Sequence, residues 1–223
     1  TTGDHNVAVG NKALQKNTTA DDNTAVGNFA LNQNTTGTQN VAVGSTSLDS
    51  NTTGANNVSI GHTAMESNTT GQRNVAIGSH TLDSSSSGSF NVAIGHNALT
   101  VCSVSNNTAV GYECLKANTT GTDNTAVGAN SLDANTTGQA NNAIGKNALG
   151  VNTTGNYNQA IGRECLDANT EGDFNVGVGH AALSSNTTGD NNIGIGFDAL
   201  VDNTTGNNNI CIGKNAGRST SPS

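Results

Sequence analysis

Asn124-Thr-Ala-Val-Gly-Ala-Asn-Ser-Leu-Asp-Ala-Asn-Thr-Thr-Gly138 is one copy of a repeat that fills almost the whole chain. Its first glycine recurs at positions 10, 27, 44, 61, 78, 95, 111, 128, 145, 162, 179, 196 and 213. Every step is 17 residues except one of 16, from Gly95 to Gly111. Self-similarity at a short fixed period marks a chain that stacks equivalent copies along an axis. Counted from the Asn four residues before that glycine, the consensus is N-V/T-A-V/I-G-x-x-A-L-x-x-N-T-T-G-x-x.

Slot one is Asn in all thirteen copies: Asn6, Asn23, Asn40, Asn57, Asn74, Asn91, Asn107, Asn124, Asn141, Asn158, Asn175, Asn192 and Asn209. Slot three is small, mostly Ala, with Ser59, Gly177, Gly194 and Cys211 as variants. Slot four is Val or Ile, and slot nine is Leu apart from Met65 and Gly217. Five residues rich in β-branched side chains and ended by Gly read as a short strand and a turn. A repeat this short has no room for the helix pairs of the roughly 33- to 47-residue helical repeats. The fold expected is all-β, a parallel β-solenoid of about 13 coils of 17 residues, each strand hydrogen-bonding to its copy in the next coil. At a rise of about 4.8 Å per coil, that array would be roughly 60 Å long.

Side chains alternate across a strand, so slots two and four face one way and slot three the other. A consistently small slot three implies close approach by an opposite wall, and slot eight (Ala13, Ala30, Cys114, Ala148) repeats the preference. A consistently bulky slot four reads as buried too, and a strand apolar on both faces is covered on both sides. In a thin roll the second cover would be another copy of the chain. Apolar burial within one coil is small against the backbone entropy of ordering it, so ladder hydrogen bonds and contacts between chains are expected to contribute. The slot-one Asn column reads as a structural ladder, its amides hydrogen-bonding along the axis. Asn-Thr-Thr-Gly reads as turn chemistry, with Gly supplying a positive φ.

The chain has 223 residues, a formal net charge of −8 and only 3% aromatic residues. Low hydrophobicity alone would suggest disorder, but a disordered segment has no reason to keep one residue in one slot thirteen times. Eight Lys and Arg in an acidic chain argue against nucleic-acid binding, which needs clustered cations. No apolar run approaches the ~18 residues of a membrane span, so no membrane insertion is expected. The repeat array is expected over 1–217, opening in mid-repeat because Thr1, Thr2 and Gly3 match Thr35, Thr36 and Gly37, with 218–223 as a polar tail or linker. Of the four cysteines, Cys102, Cys114, Cys165 and Cys211, the pair Cys114 and Cys165 fill the same slot three coils apart. That is about 14 Å at the strand spacing, too far for a disulfide, and all four read as free, buried thiols.

Nine Asn-Thr-Thr tripeptides have the form of N-glycosylation acceptors: Asn17, Asn34, Asn51, Asn68, Asn118, Asn135, Asn152, Asn186 and Asn203. If modified, they would carry glycans as a stripe along one edge. Asn57 and Asn106 also head an N-x-S/T triplet, although Asn57 stands in the Asn column. His5, His62, His80, His96 and His180 are spread over solvent-facing slots without an i, i+4 partner or a Cys companion, so no metal centre is expected. Asp49, Asp83, Asp133 and Asp167, just after the Leu, read as a solvated acidic edge. No nucleophile elbow, HExxH or helix-opening GxGxxG occurs, so neither catalytic residues nor a cofactor site are expected. The irregular stretch Thr100-Val-Cys-Ser-Val-Ser105 replaces Asn-Thr-Thr-Gly and drops a residue, as a bulge or loop would. Phe90, Tyr157 and Phe174 share the slot before Asn in separated coils, and the aromatics form no column.

Asn74-Val-Ala-Ile-Gly78, Asn91-Val-Ala-Ile-Gly95, Asn107-Thr-Ala-Val-Gly111 and Asn124-Thr-Ala-Val-Gly128 resemble the S-V-A-I-G strand of trimeric autotransporter adhesin heads. The full repeat is similar to tandem repeats of phage and giant-virus tail fibres and of bacterial surface fibres. The resemblance extends to about Ala216, but the adhesin heads use a shorter coil, and no coiled-coil stalk or membrane anchor lies in these residues. It implies a homotrimeric β-roll displayed outside a cell or virion, binding a cell-surface glycan or a host receptor. The expected function is thus a non-enzymatic, extracellular fibre segment with reach and adhesion as its tasks. Two alternatives stand beside it. One is a glycosylated, self-assembling filament subunit whose coils stack end to end. The other is an ice-binding solenoid, in which Thr18, Thr35, Thr52 and Thr69 would line up as a ladder, although consecutive Thr in a turn point in different directions.

Overall fold

A computed structural model describes residues 2–218, so the expected mid-repeat opening at Thr1 and the tail residues 219–223 lie outside the described residues. The single array expected over 1–217 is divided into two compact units, Thr1–Val110 and Gly111–Ser223, the division falling just after the 16-residue coil. The first unit holds β1 (Val7–Val9), β2 (Thr24–Val26), β3 (Val41–Val43), β4 (Val58–Ile60), β5 (Val75–Ile77), β6 (Val92–Ile94) and β7 (Thr108–Val110). The second holds β8 (Thr125–Val127), β9 (Asn142–Ile144), β10 (Gln159–Ile161), β11 (Val176–Val178), β12 (Ile193–Ile195) and β13 (Ile210–Ile212). Within each unit every strand pairs in parallel with the next, slot against slot: Ala25 opposite Ala8 and Ala42, Ala160 opposite Ala143 and Gly177. Each unit is therefore a parallel β-solenoid with one strand per coil, and no helix occurs among the described residues.

The strands are three residues long rather than five, yet coil-to-coil pairing continues around most of the turn. Leu31 N–H donates to Ser47 O (3.0 Å), Gln33 N–H to Asp49 O (2.9 Å) and Thr35 N–H to Thr52 O (3.0 Å), all in the following coil. Phe29 N–H and Gln39 N–H donate the other way, to Asn11 O (2.9 Å) and Asp21 O (3.1 Å) in the preceding coil. The reversals coincide with left-handed residues. Slots 7, 9 and 17 adopt positive φ with ordinary side chains, as at Thr46 (φ 54°), Leu48 (φ 56°) and Asn56 (φ 59°). For an L-residue that region costs on the order of 1 kcal/mol, and the cost recurs three times per coil. It persists because each left-handed residue turns its amide toward an acceptor in the neighbouring coil and, at slot nine, drives a Leu into the core.

That core is a single file. Leu31, Leu48, Met65, Leu82, Leu99, Leu115, Leu132, Leu149, Leu166 and Leu183 are buried, with the slot-three and slot-eight residues packed beside them. The two small columns do face each other. Ser47 Oγ in slot eight bonds Ser59 Oγ in slot three (2.8 Å). A side chain at Gly177 in slot three would strike the Sγ of Cys165 in slot eight, so the larger Cys is accommodated by removing the residue opposite.

The outward face departs from expectation. In a single chain slot four is not buried: Ile77 is 37%, Ile144 43% and Ile161 44% exposed. Slot two is half-buried, and only slot three of each inner strand is enclosed. Bulk in slot four is thus a property of the exposed sheet face, not of the interior. The turn glycines also divide their work differently from the expectation. Positive φ belongs to the slot-five glycines, such as Gly61 at 143°, where an added Cβ would overlap the carbonyl of Gly78. The glycine of Asn-Thr-Thr-Gly has no positive φ. An added Cβ on Gly54 would overlap Asn51 Oδ1 and the Gly71 carbonyl, so this slot is small because two neighbours crowd it. Replacing Gly61 with Ala combines strain with a backbone clash and should destabilise the first unit by roughly 3 kcal/mol, the upper end for overpacking; an unchanged denaturation midpoint would contradict this.

Candidate functional site

The polar interior is built from amides. In slot one, Asn57 N–H donates to Asn40 Oδ1 (3.0 Å) and Asn74 N–H to Asn57 Oδ1 (3.0 Å), and so along each unit. In most coils Nδ2 closes its own coil: Asn40 Nδ2 donates to Gly54 O (2.8 Å), fourteen residues on, whereas Asn107 Nδ2 turns back to Ser105 O (3.2 Å). The column is a ladder, as the sequence implies, and its inner members are buried.

A second ladder was hidden in Asn-Thr-Thr. Asn34, Asn51, Asn68, Asn118, Asn135, Asn152 and Asn186 have no accessible surface, and Asn17 has 9%. Asn51 Nδ2 donates to Asn34 Oδ1 (2.9 Å) in the preceding coil and to Gly54 O (2.9 Å) in its own. Gly54 O thus accepts from both ladders. Asn34, Asn68, Asn135, Asn152, Asn186 and Asn203 commit both amide protons in the same way, and Asn17, first in the series, donates to Ala20 O (3.0 Å), so the nine Asn-Thr-Thr sites, with Asn203 half-buried at the end of the series, do not form an exposed edge. This corrects the glycosylation reading: a glycan on Nδ2 and the folded coil exclude each other. In sequence the acceptor triplet and the ladder asparagine look identical, and only the recurrence of a second Asn in most coils points to a second column. In a host that adds N-glycans, the protease-resistant folded fraction should carry none at these nine positions by glycopeptide mapping.

The second ladder has a gap in the first unit. The slot after Asn68 holds Ser85 and the next holds Cys102, whose Sγ turns to Val104 O (3.4 Å). Asn68 Oδ1 is left buried without a donor, a loss of ~1 kcal/mol or more. Ser85→Asn supplies a donor to Asn68 Oδ1 but sets its own Oδ1 against Cys102, whose Sγ turns to Val104 O, so the gap moves by one coil and the stability of the first unit in denaturant should change by less than about 1 kcal/mol; a gain above that would refute the account. The first Thr of each triplet is also committed inward, as Thr35 Oγ1 donates to Thr52 O (3.0 Å), which leaves the second Thr as the exposed hydroxyl column.

Outside the ladders, groups suited to chemistry are scattered or spent. None of the four cysteines is in a disulfide, and Cys102, Cys114 and Cys165 are buried while Cys211, expected to be buried, is half-exposed; burial pushes the Cys165 thiol up to about 12, which holds it protonated and unreactive. Asp49, Asp133 and Asp167 are not simply solvated: partial burial raises each carboxyl above its usual range. A raised carboxylate pKa contributes stability that is full below the unfolded value and lost as pH rises through the folded one. Asp133→Asn should therefore stabilise the second unit at pH 7, with the advantage vanishing below about pH 4; thermal melts at both pH values test this. Between Asp133 and Asp167, Gly150 opens a shallow cavity of about 230 Å³, also lined by Asn130, Asn147 and Val151. That is below the ~300 Å³ at which small-molecule sites begin.

Neighbours along the axis bring together residues that the linear sequence separates by about one period. Tyr157 and Phe174 are one period apart, and their rings stack at 5.0 Å. His180 stacks on Phe197 at 5.2 Å, Lys12 lies over Phe29 and Arg73 over Phe90. Tyr157 and Phe174 thus stand in adjacent coils and not in separated ones. Three of the five histidines also meet, His62, His80 and His96, with adjacent ring centroids 5.6 and 6.0 Å apart. Their spacings of 18 and 16 residues straddle the period, which is the signal that an i, i+4 search misses. The chain matches no protein-family model, no curated protein and no solved structure.

Proposed function

We propose that this chain is a non-enzymatic structural segment of an extracellular fibre, assembled through the outer face of its sheets with further copies of itself into a homotrimer. The exposed slot-four row is the observation that carries the reading. Val127, Ile144 and Ile161 stand in consecutive coils of the second unit, each more than a third exposed, as Ile60, Ile77 and Ile94 do in the first. At roughly 70 Å² per side chain, three such coils present on the order of 200 Å² in each unit, and half-exposed slot two widens each stripe toward the size of patches that mark interaction sites. A parallel stack repeats the same apolar residue at each level, so a symmetric assembly can bury the entire row at once.

Display on a cell or virion surface and adhesion to a glycan or host receptor fit the same picture. The ladder amides are spent on the fold, whereas pairs such as Tyr157 and Phe174 are exposed. Among the described residues no helix is long and apolar enough to cross a membrane. Light scattering of the chain at micromolar concentration should give three times the 22.3 kDa chain mass. Ile144→Lys combined with Ile161→Lys should yield monomer with an unchanged β-type circular dichroism spectrum. A monodisperse monomer from the unsubstituted chain would overturn the reading.

A further inference from the structure

We propose that His62, His80 and His96 form a surface chelating site for a divalent transition-metal ion, bound by two imidazoles from adjacent coils. His80 is the shared member. Its ring stands edge-on to His62, at 72° with centroids 5.6 Å apart, and to His96, at 77° and 6.0 Å. A metal–nitrogen bond of about 2.0–2.1 Å puts the ion about 3.2 Å from each ring centre, so two imidazoles on one ion have centroids about 4.5–6 Å apart. Both observed pairs fall within that range. Edge-on rings can also direct nitrogen lone pairs to a common point, which face-to-face rings cannot.

The surroundings supply what a ligating histidine needs. His80 Nδ1 lies 2.8 Å from Thr63 Oγ1 and 3.5 Å from Asp83 Oδ2. A neutral His80 that donates its Nδ1 proton to this pair carries its lone pair on Nε2, the carboxylate–histidine arrangement that fixes ring and tautomer at metal centres. Glu66 lies close enough to His62 and His80 to feel both, and with Asp83 it brings negative charge to the site. His62 and His96 are exposed and the His80 side chain is 42% exposed, so water has access and can complete the coordination shell. Among the described residues no three His, Cys, Asp or Glu side chains converge on one point, which makes the site a two-imidazole chelate and not a closed structural centre. The affinity order should follow the general one for nitrogen ligands, with Cu2+ above Ni2+ and Zn2+.

The test is a Cu2+ titration of the whole chain followed by visible absorption and by the nitrogen hyperfine pattern in electron paramagnetic resonance. Asn is the replacement of choice, because slot seven already carries left-handed Asn97, Asn130 and Asn147, and slot six carries Asn11 and Asn28. The unsubstituted chain should bind one Cu2+ at the array with two nitrogens in its spectrum. His80→Asn removes both pairs and should weaken binding at least tenfold, with loss of the two-nitrogen signature. His62→Asn and His96→Asn each leave one pair and should weaken binding about twofold, the statistical factor, while His180→Asn should change nothing. The proposal is overturned if His80→Asn binds within twofold of the unsubstituted chain, if His180→Asn matches its effect, or if the unsubstituted chain shows no two-nitrogen spectrum.

Discussion

Everything in this molecule depends on buried carboxamides that find their partners one coil away. An Asn side chain enclosed by protein must satisfy two protons and an oxygen, and in an isolated coil it could not do so. Stacking solves the problem for both columns at once: the oxygen of one coil accepts from the next, and the amide protons tie a coil's own ends to the carbonyl of Gly54 and its equivalents. Satisfaction is therefore collective. A coil without neighbours exposes its amides, carries three left-handed residues and encloses one Leu, a combination with little to favour it. A coil between neighbours completes all of these together, which is the nearest-neighbour logic of repeat proteins in an unusually polar form.

The same logic explains why composition misleads. A chain this poor in large apolar residues would be placed among disordered sequences, yet its interior is dense. Alanine, asparagine and glycine form walls that approach closely, and Leu is the only large residue most coils need. Closeness also accounts for the glycines. One set permits a backbone region that other residues avoid; the other makes room for an asparagine oxygen and the carbonyl of the coil above. A glycine in sequence does not announce which of the two it does.

Much of the fold was legible from slots alone. Period, strand position, the parallel in-register stack, the small slot-three and slot-eight walls and the slot-one ladder all follow from which residues recur where. Three matters were not legible. Asn51 and its equivalents belong to a tripeptide that fits a turn, a glycan acceptor and a buried ladder equally well, and only the path of the chain decides among them. Ile77 and Ile144 show that constancy of an apolar residue does not reveal burial within one chain, since an exposed face with a job of its own is just as constant. The histidine array eluded a local search because its members adjoin only after the chain has gone once around, and then from slots six and seven alternately.

A perfect repeat has a cost that the shortened coil removes. If all coils were identical, pairing any coil with its second neighbour would restore every hydrogen bond, and the chain would face a family of equivalent misalignments. The coil from Asn91 to Asn106 is one residue short, carries Cys102 where the next coil carries Asn118, and follows the one coil with Ser85 in that position. A register shift would set it against a coil other than the one with Ser85, so the shifted pairing is no longer equivalent to the native one. The defect in the ladder acts as an index mark, a point from which the remaining coils can be counted in only one way.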